Sequence, residues 1–121
     1  MGRHSRGDVS YSCGLDAAVD VVVGKWKPLI LWSLHDGTYR FGELRRRVEG
    51  ITEKVLVQQL RELETDGIVH REVYGEVPPR VEYSLTPRGQ ALNTALTPLG
   101  EWGDAHMEWI LDVKSAARDV A

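Results

Sequence analysis

The stretch from Glu76 to Gly89, "EVPPRVEYSLTPRG", brings together two features that conflict in an ordinary sheet. Pro78 and Pro79 carry no amide hydrogens and cannot donate to a strand ladder. Yet strand-like residues flank them, "IVHREVY" (68–74) before and "RVEYSL" (80–85) after. The second run alternates Val81, Tyr83 and Leu85 with Glu82 and Ser84, the period of a strand. The pattern predicts a hairpin with a stiff tip, "GEVPP", standing in solvent. Thr86 and Pro87 then supply the N-cap and first turn of a helix. Such a tip reads either as a preshaped wing that meets a partner, or as a breaker that protects an exposed strand edge. The residues upstream favour the wing.

Residues 51–67, "ITEKVLVQQLRELETDG", predict a helix capped by Thr52 and stopped by Gly67. Leu56, Leu60 and Leu63 make its inward stripe, while Glu53, Lys54, Val57, Gln58 and Arg61 project from the other side. Before it, "RFGELRRRV" (40–48) sets Phe41, Leu44 and Val48 on one face and Arg45 to Arg47 on the others. "GKWKPLILWSLHDG" (24–37) predicts a mostly buried helix through Leu29, Ile30, Trp32 and Leu34, with Pro28 at its first helical position and Asp36–Gly37 at its end. "GLDAAVDVVV" (14–23) places Leu15, Ala18, Val19 and Val22 at helical spacing, although its valines also suit a strand. After the hairpin, Leu92, Leu96, Leu99, Gly103, His106 and Ile110 extend a helical pattern for several turns, with a bend expected near Pro98. Four helices, a hairpin and a last helix describe a mainly α fold with a small β-hairpin, a winged helix-turn-helix. The expected organisation is a flexible polar arm over 1–12, the winged-helix domain with terminal dimerisation helices over 13–113, and a tail over 114–121.

In that fold a helix delivers its polar face to the major groove, and the wing reaches the adjacent minor groove or backbone. Gln58 can pair with adenine, Lys54 and Arg61 with guanine or phosphate, and Val57 can touch a thymine methyl. Arg40, Arg45, Arg46 and Arg47 suit phosphates, which position a protein without reading sequence. Thr52 at the helix start, with Pro78 and Arg80 at the wing, completes the expected surface for double-stranded DNA. The net charge of −3 is unevenly placed. Six basic residues lie between Arg40 and Arg61 against three acids, whereas five acids face two bases between Gly100 and Ala121. The basic surface that phosphate needs is local. A winged helix serving as a protein–protein adaptor is the rival reading, and steep salt dependence of DNA affinity separates the two.

A chain of 121 residues suits one domain. No apolar run approaches the roughly 20 residues of a membrane span, and no secretory signal is apparent. One cysteine, Cys13, rules out an internal disulfide and fits a reducing cytoplasm. His4, His35, His70 and His106 are scattered without metal-ligand spacing, and nothing supplies an activated nucleophile or phosphate loop. The expectation is therefore no cofactor, no metal and no enzyme. Trp26, Trp32, Trp102 and Trp109 read mainly as core, with an aromatic effector as the alternative.

The blocks "GKW" (24–26), "RFGELRR" (40–46), "ITEKVLVQQLRELETDGIVHREVY" (51–74) and "VPPRVEYSLTPRG" (77–89), followed by Trp102, resemble the HxlR-type winged-helix regulators of bacteria, relatives of the MarR group. The resemblance runs from about Cys13 to Trp109. It implies a homodimer on an inverted-repeat operator, acting as repressor or activator, with repression expected here. Leu15, Val19, Val22, Leu92, Leu96, Leu99, Trp102 and Ile110 are then the expected dimer surface, the alternative being that they pack within one chain. Several family members sense oxidants or electrophiles through a cysteine at the position of Cys13. A helix start favours a thiolate and Asp16 opposes it, so sensing and an inert packed thiol both stand. Gly14 follows Cys13 where the family usually has proline, and Val57 stands where threonine is common.

Overall fold

Eleven apolar side chains close one core: Ile30, Leu31, Leu34, Leu44, Val48, Ile51, Leu56, Leu60, Leu63, Ile68 and Val69. A computed structural model describes residues 4–120, built as β1 (His4–Arg6), β2 (Val9–Tyr11), α1 (Gly14–Val22), α2 (Trp26–Ser33), β3 (Tyr39–Arg40), α3 (Phe41–Arg47), α4 (Glu53–Thr65), β4 (Val69–Tyr74), β5 (Arg80–Leu85), α5 (Pro87–Ala105) and α6 (Met107–Val120). Residues 1–3 of the expected arm and residue 121 of the expected tail lie outside the described residues. The architecture is a mainly helical winged helix-turn-helix with small antiparallel sheets. Leu56, Leu60 and Leu63 on α4 are buried as their spacing requires, each worth about 1.5–3 kcal/mol of burial.

The wing is β4 and β5, paired from Val69 opposite Leu85 to Tyr74 opposite Arg80. A third strand escaped sequence reading: β3 pairs with β5, Tyr39 opposite Tyr83, in the order β3-β5-β4. Two residues are too few for periodicity to show, and their partner is more than forty positions away.

The "LTPRG" run joins wing to α5 through one hydroxyl. Thr86 Oγ1 accepts the Gly89 N–H at 3.0 Å and donates to the Gly67 carbonyl at 2.7 Å. Its own N–H donates to the Ile68 carbonyl at 3.1 Å. The cap therefore fixes the start of α5 against the end of α4. At Gly89 the helix backbone meets the Ile68 carbonyl so closely that an added Cβ would stand 2.2 Å from its oxygen.

Several sequence expectations need correction. Residues 4–11 form a two-stranded hairpin rather than an arm without regular structure, turning at Gly7 with φ +62°. Gly-Asp between short extended runs is a hairpin turn signal in its own right. The Tyr11 hydroxyl then donates to Asp20, tying the hairpin to α1 and holding the Tyr11 phenol above its ordinary value. α2 is only half buried: it sinks Lys27, Ile30, Leu31 and Ser33, whereas Leu29 and Trp32 are exposed. It begins two residues before Pro28 and ends at Ser33, short of Asp36. α5 runs through Pro98, which sits on its solvent side, where the carbonyl left without a partner can bond to water. The helical run is interrupted at His106, whose ring Nδ1 donates to the Trp102 carbonyl at 2.8 Å. The last helix continues to Val120, so residues 114–120 are helix and not a tail.

Candidate nucleic-acid interface

Thr52 begins α4 by accepting the Val55 N–H at 3.2 Å, so its hydroxyl serves the cap. With the leucine stripe turned inward, the opposite face exposes Lys54, Gln58 and Arg61, and Val57 is half buried beside them. Lys54 and Gln58 make no ion pair or side-chain hydrogen bond among the described residues. Their polar ends are thus available at no cost in broken contacts. The residues expected to address bases do share one exposed face.

The arginines of α3 divide three ways. Arg45 lies 3.8 Å from Glu53 across the turn, both side chains exposed, a contact worth little. Arg46 is exposed and has no ion partner among the described residues. Arg47 points back toward the fold, 3.5 Å from Asp36, with its guanidinium 4.4 Å above the Tyr39 ring. Tyr39 in turn donates its hydroxyl to Asp36 at 2.7 Å. That hydrogen bond holds the Asp36 carboxyl below the usual range, with Arg47 adding to the effect, and raises the Tyr39 phenol in return. Arg47 is therefore a latch between α3 and the loop before β3, not a free cation. Arg40 caps α3, its backbone N–H donating to the Glu43 carboxylate at 2.8 Å.

The wing tip, residues 75–79, is exposed, and Val77 is fully so. Its cation is not at liberty. Arg80 stacks 4.0 Å over Tyr74 and lies 3.1 Å from Glu76 and 3.8 Å from Glu82. The pairing has a reason in the register: Glu72 stands opposite Glu82, a like-charge pair that Arg80 relieves from the Glu82 side. Within residues 75–79 the one charge is that of Glu76.

Sequence reading missed Arg71. It shares a sheet face with buried Val69 by two-residue alternation, which turns it toward α4. There it lines a cleft of about 300 Å³ with Arg61, Glu64 and Tyr83. The signal was present as an arginine at an inward strand position directly after the helix.

An exposed polar helix face, a preceding helix with an unpaired arginine and a projecting hairpin are the parts of a DNA reader. Residues 21–110 match the HxlR-like helix-turn-helix family. The chain belongs to this family. A helix-turn-helix transcriptional regulator of Methanothermobacter thermautotrophicus is 50% identical over 97 residues, covering 80% of this chain and 74% of that one. The helix-turn-helix transcriptional regulator YdeP of Bacillus subtilis is 45% identical over 118 residues, 98% of this chain and 91% of its own. Among solved structures, the redox regulator HypR in its reduced form superposes with a TM-score of 0.78 at 45% identity, covering 83% of this chain and 99% of that chain. As a member of the HxlR family the chain is a DNA-binding transcriptional regulator and not an enzyme.

The surfaces expected for dimerisation fall into two groups in this HxlR chain. Val22, Leu92 and Leu96 are half buried against the chain's own core. Leu15, Val19, Leu99 and Trp102 are exposed, at 74%, 48%, 63% and 51%. On α6, Trp109, Leu111 and Val113 are exposed and Ile110 is half covered. No residue of α6 through Asp119 is buried. Cys13 is exposed at the N-cap of α1. Asp16 Oδ2 accepts the neighbouring Ser12 N–H at 2.9 Å. Among the described residues no three His, Cys, Asp or Glu side chains gather as metal ligands, and no helix is long and apolar enough to cross a membrane.

Proposed function

We propose that this HxlR-family regulator binds an inverted-repeat operator as a homodimer and represses transcription there. Lys54, Gln58 and Arg61 on α4 read the major groove, with Val57 against a thymine methyl. Arg45, Arg46 and Arg40 meet phosphates. Arg71 on β4 joins Arg61 across their shared cleft, and Pro78 shapes the tip, while Arg80 reaches DNA only by giving up Glu76 and Glu82. The observation that carries this reading is the α4 face itself: three long polar side chains exposed directly opposite a buried leucine stripe.

The terminal helices supply the dimer. A helix with apolar residues and no core to cover them is stabilised by a partner, and twofold symmetry doubles the base contacts. Leu15 and Val19 on α1, Leu99 and Trp102 on α5, and Ile110 on α6 are the seam in this proposal.

The test is operator selection followed by binding titrations. Gln58→Ala is expected to relax preference at one base position at a cost of about 1–3 kcal/mol, leaving random DNA nearly unaffected. Arg46→Ala should weaken both DNAs alike and lower the salt slope by about one. Equal losses on both DNAs for Gln58→Ala would remove its reading role. Failure to select any duplex at moderate salt favours the adaptor reading. Repression is checked by transcription from the selected site, which the protein should lower.

A redox or electrophile response through Cys13 is a further part of the proposal. Its support is the exposed thiol at a helix start, together with the likeness to HypR, a redox regulator by its own description. Lacking a second cysteine, the chain can form a Cys13–Cys13′ bridge, a mixed disulfide or an alkyl adduct. Alkylation with N-ethylmaleimide should change operator affinity in the wild type and leave Cys13→Ser unaffected. Unchanged affinity on full modification excludes the switch.

A further inference from the structure

The cleft between α4 and the wing brings two arginines from different elements to one space of about 300 Å³. Leu60 is buried and Tyr83 half buried, so they form its inner side, while Arg61, Glu64 and Arg71 are exposed at its mouth. Strand register accounts for the meeting: Arg71 stands directly opposite Tyr83, which packs against the core, and β4 lies against α4. Among the described residues Arg45, Arg47 and Arg80 all join ion pairs, whereas Arg61, Arg71 and Glu64 join none. Two guanidinium groups against one carboxylate leave one positive charge, the complement of a single phosphodiester.

Distance along α4 sets this pair apart from the base-reading positions. A recognition helix addresses base edges with its N-terminal residues. α4 begins at Glu53, so Lys54, Val57 and Gln58 lie in its first two turns. Arg61 follows Lys54 by seven residues, about 10 Å further along the axis at roughly 1.5 Å per residue. That displacement approaches the roughly 12 Å width of the major groove and carries Arg61 from the base edges toward the flanking backbone. There a second guanidinium is useful, since its forked donors match phosphate oxygens.

We propose that Arg61 and Arg71 hold one backbone phosphate of the operator between them, so that Arg61 positions the protein and reads no base. Each guanidinium donates to the same phosphate, and Glu64 opposes the entry of a second anion. This rests on the operator reading and revises the part Arg61 plays in it: Lys54 and Gln58 are left to specify sequence, and the cleft fixes the register of α4 on the duplex.

The experiment titrates the full chain with the selected operator and with a random duplex, between about 50 and 200 mM salt. Arg61→Ala and Arg71→Ala change exposed residues and should keep the wild-type circular dichroism spectrum. Each is expected to weaken both duplexes about tenfold or more, the loss of a hydrogen bond between charged groups. Each neutralised phosphate contributes about 0.9 to the salt slope, so Arg61→Ala/Arg71→Ala should lower it by about 0.9 per protomer, against about 1.8 for two separate phosphates. Scanning the operator with single methylphosphonates should find one position per half-site where both variants lose their effect. Glu64→Gln should tighten the wild type and not the double variant. Unchanged affinity for Arg71→Ala overturns the proposal, as does a slope change of about 1.8 per protomer. A preference relaxed at one base by Arg61→Ala overturns it equally. Those results leave the operator reading standing if Gln58→Ala behaves as expected, whereas a wild type that binds no duplex overturns both.

Discussion

Gly89→Ala is expected to destabilise the fold by about 3 kcal/mol or more, the upper end for overpacking a well-filled site. The ordinary effect of this change in a helix is the reverse, a gain of about 0.5–1 kcal/mol from a stiffer unfolded chain. Here the new methyl would stand 2.2 Å from the Ile68 oxygen and 3.2 Å from its carbon, both main-chain atoms held between α4 and β4. Backbone cannot swing aside as a side chain can. Relief requires α5 to move off the sheet, which also strains the Thr86 hydrogen bonds to Gly89 and Gly67. Guanidinium unfolding followed by circular dichroism, at matched protein concentration because a dimer's stability depends on it, reads the effect. A variant as stable as the wild type would show that α5 does not lie against Ile68 as described.

The second large effect comes from the lysine that follows the "GKW" block. Lys27 is buried, its side chain 7% exposed, with Nζ 2.9 Å from Glu62 Oε1; Glu62 keeps 46% exposure. The pair joins α2 to α4, and its two ends are unequal. Removing the carboxylate strands an ammonium in the interior, whereas removing the ammonium leaves a carboxylate that rehydrates. Glu62→Leu is therefore expected to lose about 3 kcal/mol, and Lys27→Met, which keeps the apolar stem, about 1 kcal/mol or less. The double variant should recover most of the loss, giving a large coupling energy in the mutant cycle. Equal losses for the two single variants would mean that water reaches Nζ freely.

How far the sequence could be read depended on the distance between the residues that decide each feature. Leu56, Leu60 and Leu63 are successive turns of one helix, so the buried stripe and the opposite Lys54–Gln58–Arg61 face followed from spacing alone. Val81, Tyr83 and Leu85 marked the wing in the same way, and Thr86 with Pro87 marked the start of α5. The departures arose where a distant partner intervened. Arg80 looks like a free cation beside two prolines until the strand register brings Glu82 and Tyr74 to it. Arg47 looks like its neighbours Arg45 and Arg46 until the loop before β3 returns Asp36 and Tyr39. Leu29 and Trp32 read as core because they are apolar in an apolar helix. Only the placement of α5 decides which side of α2 is covered.

The linear order of residues was enough for the helix-turn-helix, the wing and the family, because those rest on local periodicity, caps and turn residues that act within a few positions. The fold in three dimensions settled which charges remain available, why Gly89 admits no side chain, and where a cleft opens between α4 and the wing. Each of these depends on atoms tens of residues apart meeting within a few ångströms. No repeat along the chain encodes that meeting.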